Sequence, residues 1–239
     1  MLSHIPMERI LFLDIETVPV TYRFEDLDSH AKNLWSLKSR WVQEREDKTP
    51  EEVYERAGIY AEFAKVVCVS LGYFHGHKQD RTFRITSLFG EEESGILMGL
   101  SALFKKFFKD GNALLCAHNG KEFDFPFLAR RFVINGLPLP EVLDLAGKKP
   151  WEVQHLDTMD LWKFGDYKHY TSIDLLSYAL AIPSPKDDIT GADVARVFYE
   201  EKDLERIKSY CEKDVLAVAQ VMLRFKGQAL LKESELIKI

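Results

Sequence analysis

The decapeptide ILFLDIETVP, residues 10–19, constrains this chain more than any other stretch. Its run of large apolar residues reads as a buried β-strand, and side chains along a strand alternate faces. Asp14 and Glu16 therefore share one face, about 7 Å apart along the strand, while Ile15 points the other way. Two readings are open. Either the strand ends here, with Pro19 marking the exit and both acids solvated, or it delivers two oxygen ligands to a divalent cation. The D-x-E pattern alone does not separate them.

The rest of the chain supplies a fold that can hold such a strand. β-branched and alternating residues predict strands at 65–74 and 81–88, and the buried run ALLCAHN predicts another at 113–118. Helical spacing covers 92–109, 124–134 and a long final helix near 202–225, and everything from Ser172 onward reads as helical. HLDTMDLW reads as a short strand leading into a helix. Strands first, then strands alternating with helices, predict an α/β fold with a central mixed sheet flanked by helices. Between the first two strands, about 21–63, lies a helical insertion. Its second half, TPEEVYERAGIYAEF, opens on Thr49 as N-cap with Pro50 at the first helical position.

At 239 residues, 46% hydrophobic and 29% charged, the chain has ample core for one domain spanning 1–239. Its net charge of −6 excludes attachment to nucleic acid by bulk positive charge, though not by a local basic groove. Cys68, Cys116 and Cys211 are far apart and sit in apolar runs, as reduced core thiols do. No run approaches a membrane span and MLSHIPMERI lacks a signal peptide's apolar segment, so the expected setting is cytoplasmic, with no membrane partner.

Two further places put acids where a core should be. In CAHNGKEFDFPFLARR an apolar strand runs into His118 and Asn119, and Asp124 follows at a helix start, where capping is its simplest role. In YCEKDVLAVAQVM, Tyr210 and Asp214 share a helix face that Val218 and Val221 continue. A carboxylate at the edge of that apolar face needs compensation. A Lys or Arg would serve, and so would a metal shared with Asp14 and Glu16.

The set Asp14-x-Glu16, Asn119-x-x-x-Phe123-Asp124 and Tyr210-x-x-x-Asp214, in that order, resembles the three motifs of the DEDD 3′→5′ exonucleases. Within them it most resembles the branch related to the proofreading domain of family-B DNA polymerases. The superfamily divides on its third motif, by a His five residues before the last Asp or a Tyr four before it; Ser209 and Tyr210 stand there, so the Tyr-type branch is indicated. The resemblance implies a ribonuclease H-like fold, two ions of Mg²⁺ or Mn²⁺ per site, and hydrolysis of the terminal phosphodiester. By it, Asp14 would bridge both ions, Glu16 and Asp214 would hold the water-activating one, and Asp124 the second. Tyr210 would orient the water, while Thr17, Asn119 and Phe123 would contact the terminal nucleotide, Phe123 by stacking. The implied substrate is a single-stranded or frayed 3′ end, DNA ahead of RNA, released as nucleoside 5′-monophosphates. An RNA exonuclease with the same site and a catalytically silent nucleic-acid-binding module are the alternatives.

Other residues are read more plainly. His118 and His155 are expected to be structural or solvated, and Asp157 and Asp160 to mark a helix start or support the site from behind. Lys186 or Asp188 could lie near the site. Lys105, Lys106, Arg130 and Arg131 read as surface charge. In the insertion, Leu34, Leu37 and Trp41 keep helical spacing, which predicts packing against the domain; the alternative is a substrate-guiding lid carrying Trp35 or Tyr60.

Overall fold

The computed structural model describes residues 2–76, 80–166, 170–183 and 189–239. Lys186 and Asp188 lie outside them. The described strands form one mixed sheet in the order β5-β4-β1-β2-β3-β6. Strand β1 (Ile10–Pro19) runs near its centre, antiparallel to β2 (Ala64–His75) and parallel to β4 (Leu114–Ala117). β3 (Thr82–Phe89) pairs antiparallel with β2, and β5 (Leu156–Asp157) parallel with β4.

The alternation of β1 divides the core. Leu11, Leu13 and Ile15 pack with α3 (Glu93–Phe107) and α4 (Asp124–Ile134) on one face of the sheet. Ile10 and Phe12 pack with Val215, Val218, Ala219 and Met222 of α8 (Leu204–Phe225) on the other. Asp14 and Glu16 continue the Ile10 and Phe12 face, so they look toward α8. Gly72 in β2 lets that helix sit close: a Cβ there would lie 2.3 Å from the Phe83 ring and 2.8 Å from Val215. The register of β1 against β2 slips between Glu16 and Thr17, a bulge directly after the second acid.

The insertion differs from its sequence reading in two ways. Helices α1 (Ser29–Lys38) and α2 (Arg40–Glu46) form, but 49–63 is a capped turn followed by a 3₁₀ helix, Tyr54–Ile59. Thr49 does make a capping exchange with Glu52. Side chains then take the carbonyls an α-helix would need: Trp35 Nε1 donates to Pro50 O, and Thr17 Oγ1 to Gly58 O, at 2.7 Å each. The phase of α1 also differs. Leu34, Leu37 and Trp41 are 45%, 53% and 66% exposed, whereas Trp35 is fully buried among Val42, Val53, Tyr54 and Ala57. Trp35 is thus the centre of the insertion's own core, and neither packing of the Leu34 row nor a lid built on Trp35 survives.

At the other end of the chain, β6 (Leu236–Lys238) pairs parallel with β3 where only helix was expected. Three residues are too few to show a strand period. Before α8 the chain forms α5 (Thr158–Lys163), α6 (Ile173–Ala179) and α7 (Val194–Arg196), the last continued by a π-helical turn at Val197–Glu201. Among the described residues, no helix is long and apolar enough to cross a membrane. The three cysteines are free and buried.

Candidate metal centre

Three elements bring acids together beside the middle of β1. Asp14 and Glu16 come from the strand, Asp124 opens α4, and Asp214 and Tyr210 lie on the first half of α8. Glu16 is 7% exposed and Asp124 3%, while Asp14, Asp214 and Tyr210 are half-buried. The Cys211 thiol joins the cluster. Its Sγ lies with carboxylate oxygens of Asp14 and Glu16 within 4.8 Å of one another, and it donates to the Asp14 carbonyl at 3.4 Å.

Burial raises the pKa of Asp14 well above the usual carboxylate range, and the charges of Glu16, Asp214 and Asp124 add to it. Glu16 is raised in the same way, by burial first and then by Asp214, Cys68 and Asp124. Asp124 is pushed up to about 8 by burial, with Asp157 and Asp214 adding to the rise. Backbone N–H groups of Asp124 itself and Ile15 oppose it. Tyr210 is raised by burial and then by Asp214, Glu16 and Asp14, so its hydroxyl stays a neutral donor. Among the described residues no Lys or Arg is paired with Asp14, Glu16 or Asp124.

Such a cluster fits a divalent cation. Its donors are mainly hard carboxylate oxygens, as Mg²⁺ and Mn²⁺ require. The acids repel one another in a buried place, which a cation would relieve. Cys211 does not change that preference, because burial and its neighbours Cys68, Asp14 and Glu16 raise its pKa and keep it a thiol.

The loop between β4 and α4 carries Asn119 and Phe123 and leads straight into Asp124. Asn119 has a left-handed backbone, φ 62°, and its buried Oδ1 has no hydrogen-bond partner. Phe123 is half-buried and its ring leans on Phe127, with centroids 5.3 Å apart. Thr17 sits past the bulge with its hydroxyl donated to Gly58 O. Both ring nitrogens of His118 are engaged, Nδ1 with Thr158 Oγ1 and Nε2 with Thr171 O. His155 accepts from Leu115 N–H and bonds Val142 O. These histidines are structural.

Two residues carry more than their sequence showed. Arg131 is not surface charge: it is 6% exposed and paired with the equally hidden Glu93. Its place three and four residues after Leu128 and Phe127, both buried, was the available clue. Arg130, Lys105 and Lys106 are exposed as expected. Tyr170 was not singled out; the residue is 69% exposed, yet partial burial and the nearby Asp124 and Asp157 raise its pKa.

Comparison with known proteins agrees with this arrangement. The structure is similar to that of the family B DNA polymerase from the hyperthermophilic archaeon Pyrobaculum calidifontis, with a TM-score of 0.56 and 16% identity. The match covers 92% of this chain but 25% of the polymerase, so the likeness is one of fold to part of a longer protein. A comparison with curated protein sequences gives no match. Residues 59–235 match the family described as predicted 3′-5′ exonucleases related to the exonuclease domain of PolB, a stretch that starts after β1 and takes in Asp124, Tyr210 and Asp214. The chain belongs to that family of predicted 3′-5′ exonucleases related to the exonuclease domain of PolB, and its fold is the ribonuclease H-like α/β fold.

Proposed function

We propose that the whole chain works as one metal-dependent exonuclease unit that removes nucleotides from the 3′ end of single-stranded or frayed DNA, releasing nucleoside 5′-monophosphates. The observation that carries this reading is the convergence of Asp14, Glu16, Asp124 and Asp214 beside Tyr210, with no Lys or Arg paired to the first three among the described residues. Asp14, central to the cluster, would touch both of two ions; Glu16 and Asp214 would hold one and Asp124 the other. Mg²⁺ or Mn²⁺, when bound, would supply the positive charge that makes a water nucleophilic and stabilises the leaving oxygen.

The chain's own groups do the rest. Asp14 and Glu16 are fixed by the paired strand beneath them, which keeps their geometry when charge rearranges. The neutral Tyr210 hydroxyl donates toward the cluster and orients the attacking water. Phe123 stacks on the terminal base, Asn119 hydrogen-bonds the nucleotide through its unpartnered Oδ1, and Thr17 borders it with backbone and methyl. DNA is favoured over RNA because the structural likeness is to a DNA polymerase. An unpaired end is favoured because drawing a paired nucleotide into the site costs on the order of 1–2 kcal/mol per base step. A net charge of −6 offers duplex little long-range attraction to offset this.

The test is digestion of 5′-labelled DNA and RNA oligomers with Mg²⁺, Mn²⁺ or EDTA. Single-stranded DNA should shorten from the 3′ side, matched duplex should lag, and EDTA should stop both. Cutting of a circular single strand, or release of the 5′ label first as a mononucleotide, overturns the reading. Faster digestion of RNA than of DNA reassigns the substrate.

A further inference from the structure

Asp157 is 2% exposed and stands at the junction of β5 and α5. One of its oxygens, Oδ1, accepts from the N–H of Met159 at 2.9 Å and of Asp160 at 3.4 Å, the ordinary work of a helix cap. The same carboxylate reaches across the sheet edge. Oδ1 also accepts from Asn119 N–H at 2.9 Å, and Oδ2 from Lys121 N–H at 3.0 Å. Capping needs one oxygen; here a single buried carboxylate takes four backbone donors, two of them in the loop between β4 and α4.

That loop has little room to settle elsewhere. Gly120 lies against β4 so closely that a Cβ would meet Ala117 Cβ at 2.4 Å and the Phe125 ring at 2.9 Å. Next to it, Thr158 Oγ1 holds His118. Downstream, Asn119 O accepts from Glu122 and Phe123 N–H, and Gly120 O from Phe125 N–H, so the loop passes straight into the first turn of α4. Whatever holds residues 119 and 121 therefore also sets where Phe123 and Asp124 stand. Asp14, Glu16 and Asp214 come from β1 and α8 and do not depend on it.

We propose that Asp157 is a positioning residue that fixes the Asn119–Asp124 loop against the metal centre, so that its loss weakens the half of the site built on Asp124 and spares the half built on β1 and α8. The proposal rests on the metal-dependent exonuclease reading for its kinetic consequence, but not for its binding one. In an Asp157→Asn variant the amide nitrogen must face at least one backbone N–H, donor against donor. In Asp157→Ser the hydroxyl still caps α5 but is too short to reach Asn119 and Lys121.

Mn²⁺ calorimetry on wild type, both variants and Asp28→Asn tests this; Asp28 caps α1 through Ala31 N–H, away from the acids. Wild type should bind two Mn²⁺. Both Asp157 variants should weaken one binding event 10- to 100-fold and leave the other unchanged, with a matching fall in kcat on single-stranded DNA. Asp28→Asn should change neither. If Asp157→Ser binds both ions as wild type does, or weakens both equally, the positioning role is wrong, and should Asp157→Asn fail to fold the serine variant decides. A wild-type protein that binds two Mn²⁺ but degrades no oligomer overturns the exonuclease reading while calorimetry still judges Asp157. One that binds no Mn²⁺ overturns both.

Discussion

Glu93 and Glu16 are equally buried, each 7% exposed, and they are opposite solutions to the same problem. Around Glu93 everything donates. Its oxygens accept from Val66 N–H, Arg131 Nε and Nη2, and Asn135 Nδ2, and the same guanidinium gives Nη1 to Ala61 O. That knot ties the end of the insertion to β2, α3 and α4. Around Glu16 the neighbours that shift it are other acids and a thiol, and no hydrogen bond reaches its carboxylate among the described residues. A buried acid with its counter-charge built in serves the fold. Glu16, without such a partner among the described residues, is pushed toward its neutral form, and a cation would supply the charge it lacks.

The largest effect should follow from removing a charge at the acid cluster. Asp14→Asn or Asp214→Asn should slow hydrolysis about a thousandfold, roughly 4 kcal/mol of transition-state stabilisation. Without divalent cations the Asp14→Asn protein should melt at or above the wild-type temperature, because one repelling carboxylate is gone. Wild-type-like rates in either variant would end the metal assignment.

On the compensated side the pattern should reverse. Arg131→Met leaves Glu93 buried without its partner and should cost about 3–5 kcal/mol of stability. The double variant Glu93→Leu with Arg131→Met should recover much of that, read as a non-additive cycle in urea titrations. A cost under 1 kcal/mol for Arg131→Met would mean that the two acids differ less than their surroundings suggest.

The two sides should also part company with pH. Folded and metal-free, the acid cluster keeps protons that the unfolded chain has already released above the ordinary carboxylate range. Between that range and about 8, where Asp124 releases its own, rising pH should therefore lower the melting temperature. Each extra proton held corresponds to about 1.4 kcal/mol per pH unit at most. Excess Mn²⁺ should reverse the slope, since the ionised cluster is the form that binds. A metal-free melting temperature that is flat or rises from pH 5 to 8 would count against a protonated cluster.

Much of this was legible in the sequence because period and position agreed. β1 follows from its apolar run and α3, α4 and α8 from helical spacing, while Asp14, Glu16, Asp124, Tyr210 and Asp214 were picked out together by the resemblance of their order and offsets to the three exonuclease motifs. What escaped was decided by tertiary contact. Helix α1 has apolar residues on two faces, and only the packing of Trp35 on Tyr54, Tyr60 and Phe63 chooses between them. Arg130 and Arg131 look alike as letters and differ by one step around a helix. Asp157 reads correctly as a helix start, but the loop N–H groups it holds lie 36 and 38 residues away. β6 is a strand because β3 has an open edge for it.

The smallest effect should come from a neutral hydroxyl among the acids, that of Tyr210. Tyr210→Phe removes a hydroxyl but keeps the ring, which packs against the core cluster that holds Val18, Phe198 and Ile207. No charge is lost, so Mn²⁺ affinity should stay within about twofold and the folded state should hold. The hydroxyl, kept protonated by burial and by Asp214, Glu16 and Asp14, would donate to the attacking water in the proposed reaction. One such positioned hydrogen bond is worth about 1 kcal/mol. Turnover should therefore fall about five- to tenfold, with KM for single-stranded DNA little changed, in rate assays at saturating Mn²⁺. If calorimetric Mn²⁺ affinity collapses along with activity, Tyr210 is instead a structural member of the cluster. Glu16 would then have, in that hydroxyl, a partial version of what Arg131 gives Glu93, and the contrast between the two acids would be one of degree.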